Sequence, residues 1–324
     1  MKKQEMSLTF RSDIVWPWGL FFSELAELLS GELPDLRRVK INLVLGDFLT
    51  PEAVANKEAD VGFVTPPACV TMASRGIGPY TKKMENLRAI GALPHDDRMV
   101  WAVAANSAIQ HIEDMKNHPL RLVIPNQDFP VRFAVEKVLE GYGMSLEELK
   151  RIGWQVIEES HCLKIPMIVI QGKADALIHE GRKTPAWLEL GRTRQMRYLP
   201  IDEAILRDLE SRYGYKKALL PKDSFPGMER DLPCVDFSDW LLFTREDMPD
   251  DFIYLMTKIF VEKRERLFEF HFRNIPIEAC NLTCPIDPKQ LWKNVGGIPP
   301  TFFQSCSGSM GHVKLHASGG MFRK

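Results

Sequence analysis

One pattern occurs twice in this chain of 324 residues. In residues 171–185, QGKADALIHEGRKTP, a helix ends at Gly172, the usual left-handed stop after a last turn. Lys173-Ala174-Asp175 turns the chain, and Ala176-Leu177-Ile178 reads as a short buried strand that releases His179-Glu180 at its C-terminal end. Residues 55–67, ANKEADVGFVTPP, run the same way: helix end, a lysine before Ala-Asp, an apolar strand, then a polar loop at Thr65-Pro66. Two αβ units of one make predict two lobes built alike. In open α/β sheets, ligands sit beyond the carboxyl ends of the strands. The expectation is a cleft between Thr65-Pro66 and His179-Glu180.

The rest of the chain alternates strands with helices, the pattern of parallel sheets. Apolar stretches at 7–10, 39–45, 61–64, 87–93, 99–104, 120–124, 154–157, 196–199 and 240–243 read as strands. Amphipathic or capped stretches, such as 131–142 stopped by Gly143, read as helices, and Ser145-Leu146-Glu147-Glu148 is a capping box. A long helix is expected from about Asp250 to Phe268, and after Asn274 the chain turns Cys-, Pro- and Gly-rich. A formal charge of −1 provides no global basic field for nucleic acid. No run reaches the roughly 18 apolar residues of a membrane span, so no membrane insertion is expected. The N-terminus lacks the apolar core of a signal peptide, and the expected location of the chain as written is cytoplasmic, or periplasmic if its true start lies upstream. Six scattered cysteines fit a reducing compartment.

The order of several short motifs resembles the TAXI-type solute receptors of TRAP transporters, which have the type II periplasmic-binding-protein fold. They are Trp16-Pro17-Trp18-Gly19, Glu58-Ala59-Asp60-Val61-Gly62-Phe63-Val64, Asn86-Leu87-Arg88-Ala89, Val138-Leu139-Glu140-Gly141-Tyr142-Gly143, Gly172-Lys173-Ala174-Asp175-Ala176, Phe225-Pro226-Gly227 and Met248-Pro249-Asp250-Asp251. The resemblance implies a two-lobe α/β fold, each lobe a mixed sheet flanked by helices. Residues 1–107 plus 203–324 would form lobe I, with an irregular arm at 275–324, and residues 109–202 lobe II. The departures concern the ligand. Arg11-Ser12-Asp13-Ile14-Val15 stands where such receptors usually carry a glycine-rich loop, and Pro125-Asn126-Gln127-Asp128-Phe129-Pro130 where a small-residue loop holds a carboxylate. Asp128 would repel an anion, and Pro130 removes a backbone donor.

On that fold the loops after the strands bring together Asp13, Trp16, Trp18, Asp47, Thr65, His95, Asp97, Arg98, Asn126, Asp128, Ser160, His161, His179, Glu180 and Arg182. The tryptophans suit a planar or apolar ligand body, and Arg98 and Arg182 suit bidentate capture of a carboxylate. Solvated loop histidines, surface arginines and a core tryptophan are the plainer roles for these residues. His161, His179 and Glu180 are the expected set for general acid–base chemistry or for a divalent metal. In the tail, Cys280, Cys284, Cys306, His312 and His316 make either a zinc-gripping arm or an irregular arm with free thiols.

Two functions follow. The first is binding of a small, carboxylate-bearing solute by lobe closure, with no cofactor required and TRAP membrane subunits as partners if the chain is exported. The alternative is a cytoplasmic metal-assisted decarboxylase or hydrolase of an aromatic or small carboxylic acid on the same fold.

Overall fold

The computed structural model describes residues 6–13, 18–93, 97–161, 164–181, 185–263 and 266–267. The Cys- and His-bearing arm lies outside them. The chain begins with β1 (Met6–Asp13), α1 (Trp18–Glu32), β2 (Leu36–Val44), α2 (Leu49–Ala55), β3 (Val61–Val64), α3 (Ala68–Arg75) and β4 (Leu87–Leu93). It continues through β5 (Met99–Ala104), β6 (Arg121–Pro125), α4 (Pro130–Gly141), α5 (Leu146–Arg151), β7 (Gln155–Glu159), α6 (Lys164–Ile170) and β8 (Ala176–Glu180). It closes with α7 (Pro185–Thr193), β9 (Met196–Tyr198), α8 (Glu203–Tyr213), β10 (Lys217–Leu220), β11 (Leu232–Val235), β12 (Trp240–Arg245) and α9 (Asp250–Glu262). None of the described helices is long and apolar enough to cross a membrane.

These strands make two five-stranded mixed sheets, ordered β2-β1-β3-β12-β4 and β7-β6-β8-β5-β9, and a small β10-β11 hairpin. This is the two-lobe α/β architecture expected. The lobe boundaries differ from the sequence reading. Met99–Ala104, assigned to the first lobe, pairs antiparallel with β8 in the second sheet. The 217–235 hairpin also packs its Leu220, Phe225, Leu232 and Cys234 into the second lobe's core. An apolar strand carries no mark of the sheet it joins, so the boundary at residue 107 fell one strand late. The chain crosses to the second sheet between Leu93 and Met99 and returns between Val235 and Trp240. Helix α3, to which the sequence reading gave no element, begins directly after Pro66-Pro67, and proline is favourable at a helix start, where its missing N–H costs nothing.

The aromatic side chains of α1 build the first core. Phe21 stacks on Phe63 at 5.2 Å, and Phe22 on Phe10 at 4.8 Å. A second core lies under α6, α7 and the hairpin. The third is continuous across the two lobes, joining Val54, Val64 and Leu87 to Leu122, Ile124 and Val135.

The repeated Ala-Asp turns do the same work in each lobe. Asp60 Oδ2 accepts the Thr9 N–H at 2.8 Å, one residue before β1 and β3 pair at Phe10 and Val61. Asp175 Oδ2 accepts the Arg121 N–H at 3.3 Å, one residue before β6 and β8 pair at Leu122 and Ala176. An arginine answers each charge: Arg245 reaches Asp60 at 3.1 Å, and Arg121 grips Asp175 with a fork at 2.6 and 2.7 Å. The Arg121 hydrogen bonds hold the Asp175 carboxyl below the usual carboxylate range. Its folded value is depressed, so the stability it adds is present above an aspartate's ordinary value near 3.9 and is lost as pH falls through the lowered one. Asp175→Ala should cost about 2 kcal/mol in urea unfolding at pH 7, mostly through the strand-start N–H it leaves unpaired, since the ion pair is partly solvated. The cost should shrink as pH falls below an aspartate's ordinary value.

Candidate functional site

Strands of both sheets end at the junction of the lobes. From the first lobe, β2 delivers Gly46 and Asp47, and β3 delivers Thr65, whose bond to Pro66 is cis. Asp47 is buried, and its Oδ2 accepts the Thr65 N–H at 3.2 Å. Thr65 Oγ1 donates to the Phe237 carbonyl of the return crossover at 3.1 Å. Cys69, in the first turns of α3, is fully buried. From the second lobe come Glu180 at the end of β8 and a tight turn after β6. In that turn the Asp128 N–H donates to Asn126 Oδ1 at 3.3 Å, and Asn126 Nδ2 donates to Asp128 Oδ2 at 3.2 Å.

The lobes touch here. Gly46 has φ +84°, and a Cβ on it would stand 2.0 Å from the Asp128 carbonyl oxygen. Beside this contact runs an aromatic wall drawn from both lobes. Phe48 meets Tyr80 and Phe133 edge-on at 6.1 and 6.0 Å, and Phe133 meets Tyr213 and Tyr215 at 5.2 and 6.4 Å. The Tyr215 hydroxyl donates to the Pro130 carbonyl at 2.9 Å.

The junction is electronegative. Burial pushes the Cys69 thiol well up, and the charges of Asp47 and Glu180 push it further. Tyr80 rises through burial and then through Cys69 and Asp47; Tyr215 rises through burial and then through Cys69 and Glu180. One carboxylate from each lobe thus acts on the same thiol. A thiol so placed stays protonated and is no nucleophile.

The crossovers lie antiparallel beside this site, bridged at Arg98 and Asp236. Arg98 Nη1 reaches Asp236 Oδ1 at 3.1 Å, the Phe237 N–H reaches the Asp97 carbonyl at 3.2 Å, and the Gly181 N–H reaches the Arg98 carbonyl at 3.2 Å. A model of the NMT1-like family matches residues 23–281, which include both crossovers and all the described strands except β1.

The chain belongs to the NMT1-like family. Among solved structures this NMT1-like chain is similar to XAC2383 from Xanthomonas citri, solved bound to chloride ion and bound to ATP. The TM-score is 0.50 for both, at 11% and 12% identity, over 90% of this chain and 97% and 96% of that one. It is also similar to PhnD1 from Prochlorococcus marinus in complex with methylphosphonate, with TM-score 0.49 and 12% identity over 89% of this chain and 98% of that one. A third likeness is to the periplasmic aliphatic sulphonate binding protein SsuA from Escherichia coli, with TM-score 0.43 and 13% identity over 84% and 79%. A search of the curated proteins finds no match. At such identity the XAC2383 likeness speaks for the fold.

Within this NMT1-like chain the expected site residues part company. His179 and Glu180 are neighbours on a strand, so they point to opposite faces of the sheet. Glu180 faces the side of Ile178, toward Cys69 and Tyr215. His179 shares its face with Leu177 under α6 and α7, where it is 4% exposed and its Nδ1 donates to the Glu180 carbonyl. His161 is exposed beyond β7, and β6 separates that strand from β8, about 10 Å away at ordinary strand spacing. The set His161, His179 and Glu180 is therefore not brought together. Among the described residues no group of three or more His, Cys, Asp or Glu side chains could hold a metal ion. Arg98 is drawn into the crossover pair, and Ser160 is exposed. Trp16, His95 and Arg182 lie outside the described residues, as do the side chains of Asp13 and Trp18.

Cys69, Tyr80, Phe133 and Tyr215 went unnoticed in the sequence. Cys69 had a signal, standing two residues beyond Pro67 at a helix start that faces the crevice. The aromatics had none, since each also fits a core position.

Burial lowers His179 to about 4, against the smaller opposing effects of the Glu180 carbonyl and the charge of Asp97. The folded state thus keeps the ring neutral while the unfolded chain protonates near 6.5. Stability should be full above that value and fall as pH drops from about 6.5 to 4, by up to roughly 3 kcal/mol. Urea titrations at pH 7 and pH 5 measure the slope, and His179→Leu should flatten it.

Proposed function

We propose that this chain is a solute-binding protein whose lobes close on a small organic ligand at the strand ends around Asp47, Thr65, Asp128 and Glu180. The observation that carries the reading is the pair of antiparallel crossovers at Arg98 and Asp236, beside the buried Asp47 and Thr65 at the strand ends where the lobes meet. Two linked segments flanking a crevice are the arrangement of a hinge, in which a few residues absorb the change of angle. The TAXI-like motif order supports the same reading, with a membrane transporter as the partner to which a closed receptor delivers its solute.

The ligand in this proposal is a small carboxylic acid that brings its own positive charge, as an amine or as a bound divalent cation. Asp47 and Glu180 both act on Cys69, so the buried junction favours a net positive or donor-bearing group, and a bare carboxylate would add a third negative charge. The aromatic wall accommodates an apolar ligand body.

A thermal-shift screen tests this, because a ligand bound only by the folded state raises the melting temperature. Amino acids and small carboxylates with a divalent cation should stabilise the chain, and the same carboxylates with chelator should not. Gly46→Val should abolish closure, since its side chain meets the Asp128 backbone. Scattering should then show a larger radius of gyration, and the ligand-induced shift should disappear. A shift of undiminished size in Gly46→Val would overturn the closure reading.

A further inference from the structure

A second concavity lies on the opposite edge of the second lobe, where β5 ends and β6 and β8 begin. There a groove of about 730 Å³ runs between the edge strand β9 and the 226–232 segment, within the roughly 300–1,000 Å³ of small-molecule sites. Arg194, Arg197 and Arg230 line it, against Glu229 as the one lining carboxylate, and His111 stands at its rim. Arg197 Nη1 donates to the Ser107 and Ile109 carbonyls at 3.2 and 2.7 Å, and Nη2 to the Ala105 carbonyl at 2.7 Å. These acceptors are neutral, so they fix the guanidinium and leave its charge in place. The Arg194 side chain donates to the Ile170 carbonyl at 2.9 Å and its charge also acts on Asp175, and Arg230 is exposed.

Tyr198 supplies an independent sign. The residue is 8% exposed and its ring stacks on Phe225 at 4.7 Å, yet its hydroxyl has no hydrogen-bond partner. A buried hydroxyl left unpaired is costly and rare. Tyr198 lines the groove, and a small shift of its ring would bring the hydroxyl, now closed off from solvent, to a bound ligand. Burial also raises its pKa, so it remains a donor. The β9 backbone adds more donors. Leu199 and Gln195 bond to β5 through Trp101 and Ala105, so the N–H groups of Met196 and Tyr198 point outward on the groove side. Met196, Met228 and Leu232 form an apolar wall.

We infer that this groove binds an organic anion, a carboxylate or phosphate ester carried on an apolar body, independently of the interlobe cleft. The experiment uses the full chain with phenyl phosphate, benzoate and inorganic phosphate, followed by thermal shift and calorimetry. Saturable stabilisation by phenyl phosphate or benzoate, stronger than that by inorganic phosphate, is expected, and the better probe identifies the head group. Arg194→Gln with Arg230→Gln should weaken it by about tenfold or more, the value of one charge-assisted hydrogen bond. Tyr198→Phe should weaken it while leaving the ligand-free melting temperature unchanged or higher, because it removes an unpaired hydroxyl. Glu180→Gln, which alters the cleft alone, should leave the affinity of the groove for these anions unchanged. The inference fails if neither aromatic anion binds saturably, if the double arginine variant binds as well as the parent chain, or if Glu180→Gln abolishes binding.

Discussion

Both lobes depend on one interaction made twice: an aspartate ahead of a buried strand accepts an N–H of its parallel neighbour one residue before the two strands pair. Parallel strands have no hairpin turn to set their register, and a slip of one residue would turn each apolar face outward. Asp60 sets the register of β3 on β1, and Asp175 that of β8 on β6. In each lobe an arginine neutralises the aspartate from outside, so the carboxylate reaches the sheet edge without an isolated charge. With register set at the starts of the strands, their opposite ends are aimed at the crevice.

What happens at those ends follows from how two sheets meet. Gly46 is the point of closest approach, because only a residue without Cβ lets the β2 turn lie on the Asp128 backbone. Around it, the aromatic wall from Phe48 to Tyr215 excludes water. Burial is the larger cause of the raised Cys69 thiol, and the charges of Asp47 and Glu180 add to it. The acidic character of the junction comes from one carboxylate in each lobe, Asp47 and Glu180. An open form would return these carboxylates to solvent and weaken their mutual field.

The two ends of the second sheet carry unlike charge. Its cleft edge is acidic, and its outer edge, beside β9, is arginine-rich. The separation has a topological cause: β5 runs antiparallel to β8, so residues just after β5 emerge beside the start of β8, on the side away from the cleft. The loop at 105–109 then holds Arg197 through its carbonyls. A chain with near-zero net charge thus carries opposite fields at opposite ends of one sheet.

Local pattern was enough for most of the elements and for the fold class, though not for α3 or the β10-β11 hairpin. The twin Ala-Asp turns, the apolar runs and the glycine stops are decided by backbone chemistry and short-range burial, and these are written in consecutive residues. The same is true of Asp47, Thr65, Asp128 and Glu180 standing at strand ends. Tertiary structure alone decided which strand joined which sheet, moving Met99–Ala104 to the second lobe, because an apolar strand fits either core. It also decided which way a strand-end side chain faces. His179 and Glu180 are adjacent in sequence, but a strand's alternation sends one to the core beneath α6 and α7 and the other to the junction, where Cys69 and Tyr215 arrive from distant segments.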